Sequence, residues 1–300
     1  WHFLYTCVAG SRHEIAADLD IPIMLSSAEK DAKKNGEVVM GDMEYDGRVI
    51  LYIIKADETS YINYIKPLIL AEELQCPHVL SCIDTRDEWF YAIHPERMVP
   101  SLKDEDPETG EEVIVFEGTA CLQYLAARFD TDGIWSGRTA FEKGNILAWT
   151  AYQTAGLGPR TLTDYFLFPG RRPSTGSIFY AAIPRGRNRS SSRGPSRSET
   201  YHDAYNTELT VSFGRLHANV LKQWDIMEKR LGKPDQLYVA LKDRPTIADL
   251  SYFPFAMPWM FGFLGVDIKD WPHIQAWSKR MLERPAVRKV MQEAPKYGHV

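Results

Sequence analysis

The chain has 300 residues, 44% of them hydrophobic and 12% aromatic, and a formal net charge of −5 at pH 7. That is length enough for two ordinary domains with real cores, and the acidic balance excludes a general nucleic-acid binder. No run of about 18 apolar residues predicts a membrane span, and positions 1–25 lack the basic start and apolar block of a leader.

Residues 1–48 are charged, Gly-containing and weakly periodic, and are expected to be an irregular extension with one short helix near 11–20. VILYII (49–54), β-branched and aromatic, predicts a buried strand. Ile62, Ile65 and Ile69 recur at helical spacing in 62–74, with Pro67 in the first turn, where a missing N–H costs little. PHVLSCI (77–83), VPSL (99–102) and VIVF (113–116) predict three more strands, the last two joined by a turn at Gly110. EGTACLQYLAARF (117–129) returns to helical spacing. A strand–helix–strand unit followed by a hairpin and a helix is a small α/β sandwich.

From about 139 onward only helices are expected: 139–158, closed by Gly158-Pro159, then 207–231, 246–265 and 271–292. Thr246-Ile-Ala-Asp249 has the shape of a capping box, with Asp in place of Glu. Residues 169–200 interrupt this half with seven Arg, one Glu and four Pro. They read as a disordered insertion between helices; an Arg/Ser tail for RNA is the competing reading.

Cys7, Cys76, Cys82 and Cys121 form no C-x-x-C pair and no zinc spacing with histidine. Reduced core thiols, a cytoplasmic location and no metal are therefore expected.

The chemistry is concentrated between 55 and 120. Pro100 opens a strand although proline gives a sheet no N–H. With a cis Val99–Pro100 bond, Val99 would turn its own N–H and C=O outward, to pair with a short extended peptide. About fifteen residues later EGTA starts a helix directly after a strand. Its free N–H groups and dipole suit a carboxylate, and Glu117 suits an ammonium beside it. A ligand with a zwitterionic end and a peptide-like middle is a γ-glutamyl peptide.

These residues resemble a known family. VPSL is similar to the V-P-x-L of the glutathione S-transferases, and EGTACLQYLA to their E-S-x-x-I-x-x-Y-L-x. RPTIADLSYFPF resembles the family's capped core helix, and WPHIQAWSKRMLERPAV its last helices. The resemblance covers roughly 49–168 and 205–295; KPLILAEEL and YVALKDRPTIAD resemble the fungal type of secondary-metabolite pathways such as those to gliotoxin or pseurotin. It implies a thioredoxin-like, glutathione-binding domain at 49–130 and an all-helical domain at 139–295. It also implies a homodimer, glutathione as co-substrate, a small apolar electrophile, and no nucleic-acid or membrane partner. Glutathione would be held by Arg97, Val99, Pro100, Glu117, Gly118 and Thr119. Gly118 stands where the family has serine, so weaker binding is expected, and Arg97 is one place early for the family's basic residue.

A free thiol has a pKa near 8.5, so a donor aimed at its sulfur is needed. The resemblance places that donor in the loop after the first strand, which offers Thr59, Ser60, Tyr61, Asn63 and Tyr64. Asn63-x-x-Lys66 resembles the N-G-x-K of Ure2-like transferases; Asn63 is favoured, with Ser60 second and a plain helix cap the competing role for Asn63. Trp149, Tyr152 and Tyr165 are candidates for the electrophile pocket, and core packing is the bland alternative for each. Conjugation, glutathione-dependent isomerisation of a double bond, and a non-catalytic regulator or scaffold all fit these residues.

Overall fold

The computed structural model describes residues 34–55, 60–157 and 198–297 (main chain alone at 60, 198–213 and 216). Five strands, β1 (Val38–Met40), β2 (Val49–Ile54), β3 (His78–Ile83), β4 (Ser101–Glu105) and β5 (Glu112–Phe116), form one sheet in the order β1-β3-β2-β4-β5. β1 and β2 run parallel to β3; β4 is antiparallel to β2 and β5 to β4. β2 is central and buried on both faces, which is why its pattern is continuous rather than alternating. Its side chains still divide by the period of two. Val49, Leu51 and Ile53 join the large core beneath the helices, while Ile50 and Tyr52 pack on the far face with Val79, Ile83, Phe90 and Ile93.

β1 lies inside the stretch expected to be irregular. Its three residues are half-buried or exposed, too little pattern to read, and the strand exists because β3 offers it an edge, with Val38 opposite Leu80 and Met40 opposite Cys82. The short helix expected near 11–20 lies outside the described residues. β4 starts at Ser101, not Val99; Val99 and Pro100 precede the ladder, and the peptide bond between them is cis.

α1 (Ile65–Leu74) follows a 3-10 turn at Ser60–Ile62 and carries Pro67 in its first turn, as expected. α2 (Gly118–Phe129) and α3 (Ala140–Ala155) are joined through Asp130, whose carboxylate accepts the N–H groups of Ile134, Trp135 and Ser136. α4 (Ser198–Leu231) begins before the expected 207 and takes 198–200 out of the expected insertion; residues 169–197 lie outside the described residues. The helix expected at 246–265 is broken into α5 (Ile247–Tyr252), a 3-10 turn at Phe253–Ala256 and α6 (Pro258–Phe263). Pro254 and Pro258 cause the breaks, since each removes an N–H and crowds the preceding turn. α7 (Pro272–Leu282) and α8 (Pro285–Glu293) complete the bundle.

The two halves form one unit from residue 35 onward. Arg284 grips Glu73 of α1 with two bonds of 2.6 and 2.7 Å, and Lys289 of α8 reaches Glu72 at 2.7 Å. No helix among the described residues is long and apolar enough to cross a membrane.

Candidate functional site

Three segments meet at one corner of the sheet: the first turn of α1 at Lys66, the Val99–Pro100 turn, and the start of α2. Register brings the last two together, because Ser101 pairs with Phe116 and the chain on either side of that pair continues in step. Val99 makes no backbone hydrogen bond to any described residue. Pro100 is buried, and its carbonyl accepts the Cys121 thiol. The ladder therefore begins two residues after Val99 and leaves the Val99 peptide group unpaired among the described residues.

α2 opens without closing its own end. Glu117, its N-cap residue, is exposed, makes no side-chain capping bond and holds φ at +74°, a region that favours glycine. The N–H groups of Gly118, Thr119 and Ala120 have no partner among the described residues. Three aligned N–H groups at the positive end of a helix dipole make a site for an anion. The Thr119 hydroxyl is paired with that of Thr154, which brings the end of α3 beside the start of α2.

At the α1 side, Tyr61 and Tyr64 are buried, and burial pushes both phenols up. Asn63 is half-exposed, and its side chain makes no hydrogen bond to any described residue. The N-cap position of α1 is Tyr64, so Asn63 does not cap it. Ser60 lies in the preceding turn, with its side chain outside the described residues, as are Thr59 and Tyr165. Lys66, which sequence reading treated only as part of a spacing, is 8% exposed. Its ammonium lies 4.7 Å above the ring centroid of Phe255, so the helical half contributes to this corner.

Arg97 is occupied within its own loop. Its φ is +53°, its guanidinium stacks 4.3 Å from the Tyr91 ring and Nη1 donates to the Arg86 carbonyl at 2.8 Å. Tyr152 borders a cavity of about 400 Å³ with Ala155, Gly156, Asn219, Lys222 and Gln223. Trp149 does not border that cavity; it packs edge-on against Tyr152 and Tyr252, under the Arg230 guanidinium. A larger opening of about 740 Å³ lies between α2 and α3, lined by Asp130, Arg138, Lys143 and Leu147, and touches none of the residues singled out from sequence.

Cys76, Cys82 and Cys121 are buried free thiols; burial pushes Cys76 up to about 12, so it is no nucleophile at neutral pH. No cluster of metal-ligating side chains occurs among the described residues.

Residues 210–280 fit the glutathione S-transferase C-terminal domain. The chain is 65% identical over 257 residues to glutathione S-transferase aclG of Aspergillus oryzae, covering 86% of this chain and 100% of the relative. It is 58% identical over 244 residues to the trimodular acetylaranotin synthesis protein ataIMG of Aspergillus terreus, covering 81% of this chain and only 21% of that longer protein. Among solved structures, the glutathione transferase URE2P8 of Phanerochaete chrysosporium, crystallised with oxidized glutathione, superposes with a TM-score of 0.63 at 20% identity, covering 86% of this chain and 100% of the other. That last likeness shows the fold, and the first shows the lineage: the chain belongs to the glutathione S-transferase family.

Proposed function

We propose that this protein conjugates glutathione to a small apolar electrophile of a fungal secondary-metabolite pathway, and that it works as a homodimer in the cytoplasm. The observation that carries the reading is the unpaired peptide group of Val99 beside the open start of α2. The cysteinyl backbone of glutathione pairs with Val99, its γ-glutamyl carboxylate takes the α2 N–H groups, and Glu117 takes its ammonium. The thiol then falls toward the loop into α1. There Asn63 donates an amide N–H to the sulfur and favours the thiolate. The thiolate attacks the electrophilic carbon, a C–S bond forms, the leaving group departs with its electron pair, and the thiol proton goes to solvent. Tyr152 and Trp149 border the electrophile on the helical side. The name of the ataIMG relative supports the pathway class.

Retention on immobilised glutathione, with elution by the free tripeptide, tests the binding half; turnover of an aryl halide or an enone tests the chemical half. Retention without turnover of either would make the protein a glutathione-binding regulator instead. Asn63→Ala is expected to lower kcat about 10–1000-fold while leaving glutathione affinity within a few fold. An unchanged rate removes Asn63 from the mechanism.

A further inference from the structure

Lys66 is a buried cation without a visible reason to be one. It has no hydrogen bond and no carboxylate within 4 Å among the described residues. Its flat neighbour is the Phe255 ring, a weak partner compared with the water the ammonium has given up. Burial pulls its pKa down from 10.5 to about 8, while the charge of Glu117 pulls the other way. A group in that state is poised for an anion that arrives from outside.

The position of the ammonium says where the anion goes. A Cβ built on Gly118 would lie 3.8 Å from Lys66 Nζ, 3.6 Å from its Cδ and 3.4 Å from Pro100 Cγ. Residue 118 has no side chain, and the lysine tip lies beside the start of α2, which carries the unpaired N–H groups. Glu117, the cap residue of the same helix start, is exposed, and its charge acts on Lys66. A carboxylate seated on the helix start therefore meets a fixed positive charge, and an ammonium beside it meets a negative one.

We propose that Lys66 is a direct ligand of the α-carboxylate of the γ-glutamyl group, in the place where residue 118 supplies no hydroxyl. This rests on glutathione being the ligand. The geometry selects zwitterionic γ-glutamyl compounds over peptides that lack that carboxylate. It also makes affinity depend on the Lys66 proton. Two groups among the described residues act on that proton: the charge of Glu117 at the start of α2, and the uncharged Phe255 ring from the helical half. Binding is full where Lys66 is charged and weakens as pH rises past about 8.

The test is calorimetric titration with S-methylglutathione, which has no thiol to titrate, and with its analogue carrying 4-aminobutanoyl in place of γ-glutamyl, which lacks only the carboxylate. Wild-type protein is expected to prefer S-methylglutathione by about 10- to 100-fold. Lys66→Met is expected to lose about tenfold of that preference and keep only what the α2 N–H groups supply, and Gly118→Ser added to it is expected to restore part of the loss. The wild-type affinity should fall between pH 7.5 and 9 more steeply than that of Lys66→Met, whose remaining slope belongs to the ligand's own ammonium. A Lys66→Met protein that keeps the wild-type preference overturns the proposal. So does wild-type binding without discrimination, which would leave the transferase reading intact. Failure of wild-type protein to bind S-methylglutathione at all would remove both.

Discussion

Two helix starts in this protein are built in opposite ways. At α5 the Asp249 carboxylate accepts the Thr246 N–H at 2.8 Å, the Thr246 hydroxyl at 3.0 Å, the Val239 N–H at 2.8 Å and the Trp277 indole at 2.9 Å. It is fully buried, and every lone pair facing the protein has a donor. At α2 the cap residue is exposed, holds a positive φ and makes no side-chain bond, and the buried Lys66 ammonium lies near a helix start whose first N–H groups have no partner among the described residues. The first end is closed by its own side chains and holds the helical half together. The second leaves its polar groups open, as the glutathione site proposed above requires.

The closed end should fail hardest. Asp249→Ala leaves four donors in a buried site without an acceptor, and is expected to cost more than about 3 kcal/mol, seen as a fall in Tm of roughly 10 °C or more by calorimetry. Glutathione affinity of the protein that still folds should not change. A small effect on Tm would mean that α5 is held by packing alone.

The open end should respond with the opposite sign. Lys66→Met removes a buried charge from beside Phe255, and is expected to stabilise the ligand-free protein by on the order of 2–3 kcal/mol at neutral pH. The lysine pKa is lowered in the folded state, so the cost of charging it is full below about 8 and disappears as pH rises toward 10.5. The advantage of the variant should shrink across that same window. An advantage independent of pH would assign the gain to packing.

The smallest effect is expected at Glu117, where function and backbone conflict. Glu117→Gly suits φ = +74° and should stabilise the fold by about 1 kcal/mol. It should also weaken S-methylglutathione binding by about tenfold, because the ligand's ammonium loses its partner. Loss of affinity without gain of stability would locate no strain at this residue.

Parts of the site were legible before any coordinates. A cis X-Pro pair, a glutamate between strand and helix, and T-x-x-D before an apolar run are local patterns that the structure repeats, but the X-Pro pair precedes β4, an inner strand between β2 and β5, and does not lie on the edge strand expected. β1 was not legible, because three residues make too short a pattern and the edge that pairs with them lies forty positions later. The apolar period of 246–265 predicts one helix, whereas in the structure its two prolines break it. Arg97 kept its identity but not its freedom, since Tyr91 and the Arg86 carbonyl hold it.

The order of strands and helices, the capping box and the place of the family's motifs are properties of short stretches, set by side-chain period, φ limits and local hydrogen bonds. Whether a polar group is paired, buried or open depends on what the rest of the chain brings against it. Lys66 is ordinary until Phe255 covers it and Gly118 leaves room at its tip. Burial and electrostatics act through space, so that part of the site exists only once the two halves have packed.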